Sequence, residues 1–153
     1  MNKVDIFSTK TSYKKYEAKL LKTARQSLKV LGKDFIFLKI YLISQDKSRE
    51  INKEFRGRDK ATNVLSFEST PKKLFVDPER SLKYMDIGEI YLCPHYIDQE
   101  KEDIFHLFIH GLLHLFHYDH KGKNDTIRMN KLENKLCGKI LSLDLTLERR
   151  QLK

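Results

Sequence analysis

Residues 35–43, FIFLKIYLI, set the tightest limit on the fold. The run is dense in β-branched and aromatic types, so it reads as a strand. A second stretch of the same kind is DIGEIYLC, residues 86–93. Between and around them lie helical patterns. Tyr16, Leu20, Ala24, Leu28 and Leu31 recur at three- and four-residue spacing, which predicts a helix over 12–31 ended by Gly32. Ser44 is a candidate cap for a helix over about 46–55, with Ile51 and Phe55 one turn apart. Residues 3–7 and 63–67 read as short strands. Residues 69–84 hold two prolines and many charges and read as an exposed loop. A helix over about 97–116 and a last helix over about 124–150, with a stripe of Ile127, Leu132, Leu136, Ile140, Leu143 and Leu147, complete the pass. The order β-α-β-α-β-β-α-α predicts α+β or mixed α/β architecture. One mixed sheet of about four strands would be covered by four to five helices in a single domain, 1–153.

The chain of 153 residues is long enough to bury a core without disulfide staples. Its two cysteines, Cys93 and Cys137, lie far apart and fit a reducing cytoplasm. Residues 1–11 lack the apolar core of a signal peptide, and no run is long and apolar enough to span a bilayer. A cytoplasmic, non-membrane protein is expected. The net charge of +9 makes an anionic partner plausible, nucleic acid before membrane. A lysine-rich background would give the same charge, so charge alone decides nothing.

Chemistry concentrates in HGLLHLFHYDH, residues 110–120, which carries four of the six histidines. On a helix His110 and His114 share a face one turn apart, so their nitrogens can converge on one ion. His106 lies about 12 Å along the axis from His114, and His117 about 10 Å from His110. Two nitrogens bound to one zinc are less than roughly 4 Å apart, so a regular helix excludes both from that ion. His120 follows the apolar pattern and can fold back. Three imidazoles, His110, His114 and His120, would leave a fourth position for water, as catalytic zinc sites do. Asp119 could orient a ligand imidazole or merely solvate the turn. A zinc peptidase helix carries Glu directly after the first histidine; here Gly111 stands there, which disfavours peptide hydrolysis.

The same residues resemble a known family. HGLLHLFHYDH is similar to the H-G-x-L-H-L-x-G-Y-D-H motif of the YbeY family, bacterial rRNA maturation endoribonucleases. INKEFRGRDKATNVLSF, residues 51–67, resembles the family's upstream block, and IGEIYLC, residues 87–93, its L-G-D-I-x-I strand. With Met129, Glu133 and the final helix, the likeness covers nearly the whole chain. It implies a metal-dependent, single-strand-specific endoribonuclease acting in 16S rRNA 3′-end maturation and ribosome quality control. It implies one Zn²⁺, or another divalent transition metal, on His110, His114 and His120. RNA of the small ribosomal subunit is the implied partner, with a small-subunit ribosomal protein or an assembly GTPase beside it. The family's functional arginine falls on Arg56.

Arg56 and His114 are thus the candidate catalytic residues, and Arg56, Arg58 and Lys60 the candidate phosphate contacts. Lys72, Lys73, Arg80 and Lys83 would extend that rim or form a solvated face. Ser66 and Asn63 could position a water or hold the strand edge. His117 replaces the family's glycine just past the helix, where a left-handed backbone would be needed. Its role, metal, substrate or neither, stays open. The competing reading is a ribosome assembly factor with a structural metal and no catalysis. A peptide or small-molecule hydrolase is the third.

Overall fold

The computed structural model describes residues 1–119 and 121–151, and the side chains of all of these except 71, 72, 144–149 and 151. Four strands form one mixed sheet: β1 (Lys3–Ser8), β2 (Ile36–Leu42), β3 (Val64–Val76) and β4 (Lys83–Leu92). Their order is β1-β2-β4-β3. β1, β2 and β4 run parallel, and β3 returns antiparallel to β4 as an edge strand. The helices are α1 (Glu17–Val30), α2 (Gln45–Arg56), α3 (Pro94–Gln99), α4 (Ile104–Leu115) and α5 (Lys123–Gln151). The mixed α/β domain expected from the element pattern is therefore the fold observed.

Alternation along the strands decides the layers. Leu38, Ile40 and Leu42 of β2 and Ile90 and Leu92 of β4 are fully buried with Leu20, Ala24 and Leu28 of α1 and Phe108 and Leu112 of α4. Met129 and Leu136 of α5 close the same core. Each of the Leu, Ile, Phe and Met side chains contributes roughly 1.5–3 kcal/mol on burial. On the other sheet face Ile51 of α2 packs in a small cluster with Ile43 and Leu65. Ser44 caps α2 as expected, its hydroxyl accepting from the Lys47 amide at 3.2 Å.

Several expectations need correction. The segment 69–84 is no loop: β3 runs on to Val76 and β4 starts at Lys83. Pro71 falls where the β3–β4 register shifts between Glu68 and Lys73, on an edge with no further neighbour, so its missing N–H breaks no ladder. Pro78 sits in the connecting turn, where Asp77 Oδ1 accepts from the amides of Glu79 and Arg80. Gly88 makes the same irregularity possible: its φ is +124°, and a Cβ there would lie 2.1 Å from the Phe67 carbonyl oxygen.

The helix expected over 97–116 is two helices. Pro94 starts α3, Lys101 turns out of it with φ +55°, and Asp103 caps α4 by accepting from the Phe105 amide at 2.8 Å. The helix expected over 12–31 opens as a 3-10 turn, Thr11–Tyr16, before α1. In α5 the buried positions are Met129, Glu133, Leu136 and Ile140; Ile127 and Leu143 are exposed, and the Leu147 side chain lies outside the described residues. Phe55, paired with buried Ile51 in the sequence, is 63% exposed. Both cysteines are free. Among the described residues no helix is long and apolar enough to cross a membrane.

Candidate active site

The site is built where α4 lies on the sheet. Gly111 lets it lie close: a Cβ there would stand 2.8 Å from Ser66 Oγ and 3.1 Å from Val64 Cγ2. The Ser66 hydroxyl donates to the Gly111 carbonyl at 3.1 Å, tying β3 to the helix. Ser66 therefore holds the strand against α4, the structural of its two expected roles. A side chain after His110 would have to displace the Ser66 hydroxyl.

His110 and His114 meet on the outer side of α4. Their Nε2 atoms are 3.0 Å apart and the rings stand at 76°. His110 Nδ1 contacts Glu133 Oε1 of α5, and a carboxylate can only accept. With Glu133 ionised and His110 neutral, the imidazole proton lies on Nδ1 and the Nε2 lone pair faces His114. Glu133 is 6% exposed and its other oxygen lies 3.5 Å from His106 Nε2. Carboxylate, imidazole and a shared point at Nε2 is how metal-binding histidines are commonly oriented.

Sequence reasoning assigned Glu133 no role. A carboxylate on the buried face of an amphipathic helix, four residues after Met129 and three before Leu136, was the available signal. His106 faces Glu133 and Cys137, its Nδ1 3.4 Å from Sγ, and so occupies a separate place on α4.

Arg56 ends α2 and reaches the same cleft. With Asn63, Ser66, Glu68, His110 and His114 it lines a cavity of about 360 Å³. Glu68, also unassigned from sequence, lines this cavity and an adjoining one of about 500 Å³ formed with His114, His117, Asp119, Lys121 and Arg128. His117 takes the left-handed conformation its position called for, φ +67°, and its Nε2 lies 3.6 Å from Glu68 Oε2. Asp119 pairs with Lys121 at 3.6 Å. Asn63 is engaged structurally: its amide donates to Glu102 at 2.8 Å and its oxygen accepts from the Val64 amide at 2.7 Å.

Arg58 and Lys60 are exposed on the loop after α2 and do not line the cleft. That loop is pinned by Arg49 on Asp59 at 2.7 Å, a contact that holds the Asp59 carboxyl below its ordinary pKa. His120 lies outside the described residues. Among the described residues no three His, Cys, Asp or Glu side chains are grouped to hold a metal. Two of the three expected ligands are thus brought together, at a spacing that suits one ion.

Two of the three motif blocks line this cleft, and the other, at 87–93, lies beneath it, with Ile90 under Gly111. A family model described as Endoribonuclease YbeY matches residues 2–141. The chain belongs to the YbeY family. Its first YbeY block supplies Arg56 and the start of β3, its second is β4, and its third is α4 with the turn beyond. Curated relatives named endoribonuclease YbeY include one from Buchnera aphidicola subsp. Schizaphis graminum, 33% identical over 112 residues, 68% of this chain and 66% of that protein. Another, from Francisella tularensis subsp. mediasiatica, is 35% identical over 108 residues, 65% of this chain and 64% of that protein. The matched region thus spans just under two-thirds of these relatives' length. The solution structure of TM1509 from Thermotoga maritima superposes with a TM-score of 0.52 at 25% identity, covering 91% of this chain and 92% of that one.

Proposed function

We propose that this YbeY-family protein is a metal-dependent endoribonuclease that cuts single-stranded RNA. Its proposed substrate is the 16S rRNA precursor of the small ribosomal subunit, cut in cytoplasmic 3′-end maturation and ribosome quality control. The observation that carries the reading is one cleft lined by both the His110–His114 pair and Arg56. The names of the relatives support the reaction type.

His110, His114 and, as the expected third ligand, His120 would hold one Zn²⁺ or a similar divalent ion. When bound, such an ion polarises a phosphoryl oxygen and acidifies water. The remaining work falls to side chains. Arg56 presents a permanently charged planar fork to the phosphodiester, where negative charge gathers in the transition state. Glu133 holds the His110 ring in one tautomer and one orientation. Glu68 and His117 border the cavity beside His114. Arg58 and Lys60, outside the cleft, would meet the phosphates of flanking nucleotides.

The test uses metal-loaded protein and an end-labelled single-stranded RNA copied from the 16S 3′ region. Arg56→Ala should lower kcat/KM by about 10²–10³-fold, the range for losing one charge-stabilising donor. His114→Ala should lose both metal and cleavage. RNA binding without cleavage in the metal-loaded wild type would transfer the chain to the assembly-factor role. Full metal content and full cleavage in His114→Ala would overturn the site.

A further inference from the structure

The exposure of Phe55 has a partner feature on the far side of the edge strand. Phe55 and Phe67 lie 5.2 Å apart by ring centroid, and Phe67 meets Tyr91 edge-on at 5.8 Å. With Lys39, Glu68 and Glu89 these rings line a cavity of about 290 Å³ on the sheet face opposite α4. That volume is near the lower end for small-molecule sites, roughly 300–1,000 Å³.

The charged groups in and beside it are one ammonium and three carboxylates, Lys39 with Asp86, Glu89 and Glu68. Lys39 Nζ is 3.2 Å from both Asp86 and Glu89, and the Tyr91 hydroxyl donates to Glu89 at 2.6 Å. The carboxylates outnumber the ammonium, so the cavity suits an uncharged base rather than a phosphate, and an ionised carboxylate with two donors bound still has acceptor capacity for a base N–H. The ring row continues under the cavity through Tyr41, stacked on Tyr91 at 4.7 Å, to Phe7, so Tyr91 is held firmly in place.

The cavity adjoins the histidine cleft. Glu68 lines both. Arg56 lines one and Phe55, its neighbour in the chain, the other. Successive Cα atoms are about 3.8 Å apart, so a phosphate at Arg56 and a ring stacked on Phe55 can belong to the same nucleotide or to adjacent ones. A strand running over the β3 edge would give its phosphate to one side and its base to the other. Paired bases could not do this, which gives single-strand preference a structural basis.

We propose that the Phe55–Phe67–Tyr91 cavity is a base-stacking subsite that takes one unpaired nucleobase of the RNA whose phosphate Arg56 holds. This rests on the RNA reading above and adds where the strand goes and why it must be unpaired.

The experiment measures binding of short single-stranded RNAs to the full chain. An abasic site is moved through the strand one position at a time, and in parallel 2-aminopurine replaces each base. Wild type should show one position at which base removal weakens binding on the order of tenfold and at which 2-aminopurine is quenched. Phe55→Ala should bind the intact strand on the order of tenfold more weakly and be indifferent to the abasic site. Phe55→Trp should restore both binding and quenching. Because Phe55 is exposed, its replacement leaves the core untouched. If Phe55→Ala binds as tightly as wild type, or every abasic strand binds like the intact one, the subsite is wrong while the RNA reading stands. Wild type that binds no RNA would overturn that reading first, before any variant is compared.

Discussion

At the residue scale, the site depends most on a side chain that neither touches the cleft nor stands near it in sequence. Glu133 is buried, 23 positions from His110, and sets the tautomer that gives His110 Nε2 its lone pair. Glu133→Gln keeps the shape and loses the charge. Metal affinity, read by competition with a chelator, should fall about 10–100-fold with the fold intact. An unchanged affinity would show that the contact only packs the two helices. The histidine pair itself was legible because helical spacing is local: four residues place two imidazoles together whatever the rest of the chain does. The positive φ at His117 was legible only through the resemblance, which has glycine at that place. Glu133 and Glu68 were not, because each reaches the site through packing between elements that no short window contains.

At the scale of elements, the β3–β4 hairpin shows where composition misleads. A strand with one unpaired edge and one thinly covered face can stay charged and still be a strand, so 69–84 looked like loop. The split of α3 from α4 was hidden in the same way, because its marker, the Asp103 cap, sits inside an otherwise helical pattern. The hairpin's turn makes a prediction about pH. Burial alone would raise the Asp77 carboxyl, but the Glu79 and Arg80 amides and the Lys3 ammonium outweigh it and hold it below its ordinary value. A group depressed in the folded state stabilises above its unfolded pKa, about 3.9 for Asp. That contribution is lost as pH falls through the folded value. In denaturant titrations Asp77→Asn should be less stable than wild type near neutrality, and the two curves should converge as the pH falls below the ordinary aspartate range. Parallel curves across the whole acid range would remove Asp77 from the account.

At the scale of the whole molecule, the formal charge of +9 meets a cleft with Arg56 inside and Arg58 and Lys60 beside it. If those three neutralise three phosphates, log K for single-stranded RNA should fall with log salt at a slope of about −2. Raising salt from about 50 to 200 mM would then weaken binding by roughly twentyfold. Arg56→Ala should make the slope shallower by about 0.7. A flat response by filter binding would rule out backbone charge as the source of affinity. The close seat of α4 at Gly111 also bears on what the scaffold can become. A Cβ placed directly after His110 would require the Ser66 hydroxyl to turn away and Val64 and Ile90 to give by a few tenths of an ångström. Any side chain added at that position is therefore gained only by giving up the hydroxyl tie that fastens β3 to the histidine helix.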